Sequence, residues 1–272
     1  MTDWSGQIQV EVFYEDKDYP SQSPFGSVLV PSDFVLIGGG AEPLDVNAGA
    51  YLTESRPDWV ANRWYARSKD HAYVDVHRLR IYAIGLKIQG VTPATLRSVM
   101  TTSTQTTPLT AHAPNTFAYI PSPYILIGGG AKAIWNTYGS LLVHSYPVGN
   151  GWYVKSKDHI YSEPCQITAW AIGIQDYIPG FGYIDISLGG NSNYVSSGLN
   201  TTTLCCGTGG SNWWVPSSVG AMDNAGGAGR LLTSMRPQIY LSGDFGQSKS
   251  KDLNYFVGGD LSTYIIQIRK RP

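Results

Sequence analysis

One pattern recurs three times along this chain, and a repeat of this kind restricts the fold more than any single motif does. Val30-Pro31-Ser32-Asp33-Phe34-Val35-Leu36-Ile37-Gly38-Gly39-Gly40-Ala41 returns ninety residues later as Ile120-Pro121-Ser122-Pro123-Tyr124-Ile125-Leu126-Ile127-Gly128-Gly129-Gly130-Ala131. The stretch from Gly49 to Pro57 returns at the same offset as Gly139 to Pro147, and again as Gly229 to Pro237. Trp64-Tyr65-Ala66-Arg67-Ser68-Lys69-Asp70-His71 matches Trp152-Tyr153-Val154-Lys155-Ser156-Lys157-Asp158-His159, two residues having been lost in between. The third copy keeps Ser250-Lys251-Asp252 and has Leu253 in place of the histidine. Three units of about ninety residues, 1–90, 91–176 and 177–272, account for the 272 residues.

Each unit closes on an apolar run: Ile81-Tyr82-Ala83-Ile84-Gly85-Leu86, then Ala169-Trp170-Ala171-Ile172-Gly173-Ile174, then Thr263-Tyr264-Ile265-Ile266-Gln267-Ile268. Successive side chains of a strand point to opposite faces. Tyr82, Ile84 and Leu86, with their counterparts, therefore form a core face, while Ala83 and Gly85 leave room for a close neighbour on the other. Ile8 to Val12 and Ile184 to Leu188 alternate in the same way, and Leu96 to Thr102 does so more weakly. Pro and Gly punctuate the intervals, and no helical period is sustained. The expected fold is all-β, with about five strands per unit. A pseudo-threefold, β-prism-like arrangement is favoured over three small sandwiches in series, because like surfaces pack alike.

Composition narrows the function. With 19 Lys and Arg against 20 Asp and Glu, the net charge of -1 lacks the basic excess that nucleic-acid binding requires. Charged residues are 14% and aromatic residues 12%, the reverse of a disordered composition. Nothing at Met1-Thr2-Asp3-Trp4-Ser5-Gly6 resembles a secretory signal, and no apolar run is long enough to span a bilayer. Cytoplasmic synthesis is expected, with any release following a non-classical route. Cys165 and the adjacent Cys205 and Cys206 form neither a disulfide framework nor a zinc motif, so buried or loop thiols are expected.

Catalytic signatures are missing: there is no G-x-S-x-G, no G-x-x-x-x-G-K-[ST] and no H-E-x-x-H. Gly128-Gly129-Gly130-Ala131-Lys132 looks like a phosphate cradle, but its twin runs into Glu42-Pro43, which would repel an anion. These glycines are expected at strand ends, turning through angles only Gly tolerates. Gly207-Thr208-Gly209-Gly210 leads to no helix. Asp75 and His77 share a strand face, but the second copy has Glu163 and Cys165 there. Neither a metal nor a cofactor is expected.

The Trp-Tyr and Lys-Asp-His blocks carry more chemistry. A sugar presents apolar C–H faces fringed with hydroxyls, which an aromatic platform and a fixed carboxylate can hold. Trp64, Tyr65, Asp70 and His71, and again Trp152, Tyr153, Asp158 and His159, supply both parts within one hairpin. Asp252 marks the divergent third site, where Phe245 and Tyr255 replace the aromatic pair. The competing expectation is structural: both tryptophans in the core, and Asp70 and Asp158 capping turns by accepting backbone N–H bonds.

Gly38 to Ala41, Leu52-Thr53 with Pro57, Trp64 with Ser68 to His71, and Tyr82 to Leu86 together resemble a module of bacterial extracellular and surface-associated proteins. The resemblance covers residues 30–90 and 120–175 well and the third unit in part. In its threefold β plan the chain also resembles jacalin-like β-prism lectins. Their sugar-binding Gly and Asp motif is not at matching positions, so that resemblance assigns no residue and speaks only of architecture.

The leading functional expectation is a non-enzymatic, lectin-like protein that engages glycans or a cell-surface receptor through repeat-related loops, self-association being compatible with the repeats. A toxin-like alternative assembles on target membranes, with Val99 to Thr107 as the Ser/Thr-rich run that inserts. A second alternative is a structural assembly protein. An enzyme working through paired carboxylates is disfavoured, since active sites are singular and these polar sets come in copies.

Overall fold

The computed structural model describes residues 1–46, 49–110, 112–195, 201–206, 214–225, 229–238, 244–252 and 257–272. Leu253, Tyr255, Gly207 to Gly210 and the Cys205 and Cys206 side chains lie outside the described residues. The first unit contains β1 (Ile8–Ser21), β2 (Phe25–Leu29), β3 (Val35–Leu44), β4 (Ala50–Asp58), β5 (Arg63–Asp70) and β6 (His77–Ile88). A short helix α1 (Pro93–Ser98) leads into the second: β7 (Met100–Thr106), β8 (Asn115–Tyr119), β9 (Tyr124–Ile134), β10 (Leu141–Val148), β11 (Gly151–Lys157) and β12 (Gln166–Gln175). The third has β13 (Tyr177–Ile178), β14 (Gly182–Val195), β15 (Thr201–Cys206), β16 (Val215–Asp223), β17 (Leu231–Pro237), β18 (Asp244–Lys251) and β19 (Gly259–Lys270).

The fold is all-β, in three sheets ordered β1-β6-β3-β17-β18-β15, β13-β14-β19-β16-β10-β11-β8 and β2-β5-β4-β9-β12-β7. Each sheet takes one half from one unit and the other half from another, so every unit is split between two sheets. The halves join at corresponding places: Met235 pairs with Ala41, Ser55 with Ala131 and Ser145 with Ala221. The expected strand at Leu96 to Thr102 begins later than the sequence suggests. Leu96 falls in α1, which Thr92 caps by accepting the Thr95 N–H at 3.1 Å and which Pro93 opens. Most of the Ser/Thr-rich run, Met100 to Thr106, forms β7, an edge strand paired with β12. Among the described residues no helix is long and apolar enough to cross a membrane.

The closing strands are buried on both faces rather than one. Ile84 and Leu86 enter one core cluster with Val35, Ile127, Ile172 and Ile268, drawn from all three units. Ile81 and Ala83 enter another with Trp64, Leu36 and Trp152. The Gly-Gly-Gly runs are likewise not strand ends. They lie within β3 and β9, and what they supply is closeness of approach, not positive φ. A Cβ on Gly38 would stand 2.2 Å from the Ser217 carbonyl oxygen, and one on Gly128 2.0 Å from that of Ile37. Ser217 Oγ in turn donates to the Ile127 carbonyl at 2.8 Å, so the three units touch pairwise at these points. Tyr51, Leu141 and Leu231, at corresponding places in the three units, pack together with Val143.

Trp64 and Trp152 are fully buried. Each lies on a glycine of its own unit, a Cβ on Gly39 falling 2.3 Å from Trp64 and one on Gly129 2.4 Å from Trp152. Each indole N–H donates to a serine at 3.0 Å, Ser55 and Ser145 respectively. Asn62 and Asn150 knit the Val-Pro-Ser and Ile-Pro-Ser loops in parallel ways. Asn62 Nδ2 donates to Val30 and Phe34 carbonyls while its Oδ1 accepts from Leu36 N–H. Asn150 does the same for Ile120, Tyr124 and Leu126.

Candidate functional site

The Lys-Asp-His blocks end their strands in turns of one design. Asp70 Oδ2 accepts the Asp75 N–H at 3.1 Å, Asp158 Oδ2 that of Glu163 at 3.1 Å, and Asp252 Oδ2 that of Val257 at 3.3 Å. The capping role expected for Asp70 and Asp158 is therefore present, and Asp252 shares it. Beyond Asp70 and Asp158 the backbone turns through a left-handed residue, Ala72 at φ 63° and Ile160 at φ 69°. Non-glycine residues rarely adopt that conformation, and it is held here by surrounding contacts. The turns bridge His71 to Tyr73 and His159 to Tyr161.

The histidines point inward and meet. His71 Nε2 donates to the His159 carbonyl at 2.6 Å, and the two rings lie edge to face at 5.1 Å. Both are buried, so they join units one and two instead of facing solvent. Trp64 and Trp152 are equally closed to any ligand; the aromatic platform expected of them is ruled out by their burial and by the serines that take their N–H groups. Tyr65 and Tyr153 lie half-buried on outer sheet faces, Tyr65 under the Arg56 guanidinium at 4.9 Å. Asp75 and Glu163 are also structural. Asp75 Oδ2 accepts the Gly49 N–H at 2.7 Å. Glu163 accepts those of Thr137 and Tyr138 at 2.8 and 2.7 Å, with Asn136 and Gly139 adding two more. Burial alone would raise the Glu163 carboxyl, but those N–H groups outweigh it and hold the carboxyl below its ordinary range. Cys165 is buried, its Sγ 3.8 Å from Asp158 Oδ1.

Two of the three carboxylates open onto grooves between units. Asp70 lines a shallow groove of about 240 Å³ whose walls are Tyr73 and Lys69 from unit one and Tyr138 and Tyr161 from unit two. Tyr138 and Tyr161 are stacked at 4.6 Å and 24°, and both remain half exposed, as does Tyr73. Lys69 fixes the loop beneath them, its Nζ donating to the Tyr138 carbonyl at 2.7 Å while lying 4.8 Å over the Trp135 ring. These tyrosines, not the tryptophans, are the exposed aromatics near the repeated aspartate. Tyr73 and Tyr161 stand at matching places two residues after His71 and His159, a signal available in the sequence. Tyr138 has Ala48 and Ala228 as counterparts and carries no such signal.

Asp158 lines the corresponding groove between units two and three, about 410 Å³, with His112, His144, Lys155, Lys157 and Asp223. Lys157 Nζ donates to the Gly229 carbonyl, matching the reach of Lys69. Asp252 faces inward, where its Oδ1 accepts the Arg230 N–H at 2.7 Å. Among the described residues no group of three His, Cys, Asp or Glu is placed to hold a metal ion.

Burial, reinforced by Lys155 and Lys157, pushes His144 down to about 4, and burial lowers His71 as well. Both are neutral at pH 7, so below the ordinary histidine value of 6.5 the unfolded chain binds more protons than the folded one. Stability is complete above that pH and declines as pH falls toward 4, by about 3 kcal/mol for His144. Thermal melts at pH 7 and pH 4.5 should show the decline, and His144→Gln should remove much of it. No protein-family model matches this chain, and no curated protein does.

Proposed function

We propose that this chain is a non-enzymatic, lectin-like protein that binds glycans in grooves between its repeat units. The observation that carries the reading is the groove at Asp70, where the stacked Tyr138 and Tyr161 and the half-exposed Tyr73 surround a carboxylate fixed by the Asp75 N–H. Tyrosine faces suit the C–H side of a pyranose, and their hydroxyls and the fixed carboxylate suit its rim. Binding at such shallow sites is weak singly and gains by multiple engagement. The repeats as a pseudo-threefold, β-prism-like body belong to the same proposal. The matched seams between units within each sheet and the Tyr51, Leu141 and Leu231 cluster support it.

The test is a glycan array probed with wild type and with Tyr138→Ala/Tyr161→Ala, both exposed positions whose replacement should leave the melting temperature nearly unchanged. Wild type should retain a defined set of neutral glycans and the variant should lose them, by about tenfold or more in affinity. Failure of wild type to bind any glycan, or equal binding by the variant, would overturn the proposal.

A further inference from the structure

The three seams where units join within a sheet carry the same positions on their outer faces, and one seam lacks what neutralises the other two. In the seam between β4 and β9, Glu54 pairs with Arg56 at 2.7 Å and lies 3.7 Å from Lys132. In the seam between β3 and β17, Glu42 pairs with Arg236 at 2.9 Å and Lys249 at 2.6 Å. In the seam between β10 and β16 the places of these glutamates are taken by His144 and Met222, which face each other across the ladder. Lys155, opposite His144 on β11, therefore has no seam carboxylate.

Tyrosines stand beside it. Tyr146 stacks on Tyr264 at 4.9 Å and 24°, and meets Tyr153 edge-on at 5.6 Å. Tyr153, Lys155 and Lys157 alternate along β11 onto one face, and the two lysines reach the groove of about 410 Å³. The acids at that groove are engaged within the protein. Asp223 Oδ2 pairs with the buried Arg230 at 3.1 Å and its Oδ1 accepts the Ala225 N–H. Asp158 accepts from Glu163 N–H and has His112 Nδ1 at 3.3 Å.

We infer that this seam is a subsite for an anionic sugar, with the pyranose ring against Tyr146 and Tyr153 and its acidic group between Lys155 and Lys157. The inference rests on the glycan-binding reading above for the sugar, and adds the charge and the place. Burial, with Lys155 opposing the help of Asp223, holds Lys157 down to about 8, a tension that a bound anion relieves. Carboxylate and sulfate share the chemistry, since both accept paired charge-assisted bonds from two ammonium groups.

The experiment titrates the full chain with a uronate oligosaccharide, its carboxyl-reduced counterpart, a sulfated oligosaccharide and inorganic sulfate. Wild type, Lys155→Gln and Tyr146→Ala are compared with Tyr138→Ala/Tyr161→Ala, and a thermal melt of each variant reports folding. Wild type should bind the uronate or the sulfated sugar about tenfold more tightly than the reduced one, with affinity falling as salt rises. Lys155→Gln should erase that preference, Tyr146→Ala should weaken both sugars, and Tyr138→Ala/Tyr161→Ala should leave the preference intact. Equal binding of acidic and reduced sugars, an unchanged preference in Lys155→Gln, or binding of inorganic sulfate as tightly as the sugar would each overturn the inference. If the acidic preference stands while Tyr138→Ala/Tyr161→Ala still binds neutral glycans, the groove at Asp70 fails and this subsite does not.

Discussion

Trp64→Gly should cost about 4 kcal/mol of stability and Gly39→Val about 3 kcal/mol, while the two together should cost about 2 kcal/mol less than the sum. The first empties the space of the largest buried side chain in unit one. The second drives a side chain into an indole only 2.3 Å from where its Cβ would sit. Unit three shows that the exchange is tolerated. At the places of Gly39, Ser55 and Trp64 it has Val219, Met235 and Gly246, and a Cβ on Gly246 would stand 3.2 Å from Val219. The tryptophan, the glycine that admits it and the serine that takes its N–H thus change together. Adding Ser55→Met should recover more, because the serine would otherwise be buried without the indole as donor. Urea unfolding of the single, double and triple variants measures the cycle; strict additivity would contradict the reciprocal packing.

Arg230→Ala should destabilise by about 3 to 5 kcal/mol. Its side chain is fully buried, with Nε 3.1 Å from Asp223 Oδ2 and a terminal nitrogen donating to Ser250 Oγ at 2.8 Å. Removing it leaves Asp223 in the interior without the guanidinium that pairs with it. Units one and two solve this place without charge, with Ala50 and Ser140 for Arg230, and Pro43 and Ala133 for Asp223. Arg230→Ala/Asp223→Ala should therefore regain about 2 kcal/mol of the loss, since Asp252 keeps the Arg230 N–H and Val257 N–H as donors. Calorimetric melts at pH 7 compare the two. A double variant no more stable than Arg230→Ala would show that the pair contributes packing, not charge balance.

Repetition was the legible part of this fold, because matching blocks in the same order reveal both the units and their strands. What it hid was which sheet each strand joins. β2 and β8 carry no strand signal in the sequence because Phe25–Leu29 and Asn115–Tyr119 each bury one residue fully and leave the others exposed or half-exposed, too little for an alternating pattern. The third Gly-rich run is not recognisable in the sequence because only Gly220 and Ala221 survive of it, Ser218 and Val219 standing where the first two glycines would be. The turn role of Asp70 and Asp158 is legible from the chemistry of the side chain. The tryptophans misled as ligand platforms because a repeated Trp looks the same from sequence whether a glycine lies beneath it or solvent above it. The groove's tyrosines come from two units, and Tyr138 has no counterpart that a repeat comparison could expose.

The proposed glycan site is tested most directly by backbone amide chemical shifts recorded while the best-binding neutral glycan is titrated in. Shifts concentrated at Asp70 to Val74, Thr137, Tyr138 and Tyr161, saturating together, are the expected result. Saturable shifts confined to other parts of the surface, or none at glycan concentrations that saturate the array, would contradict it.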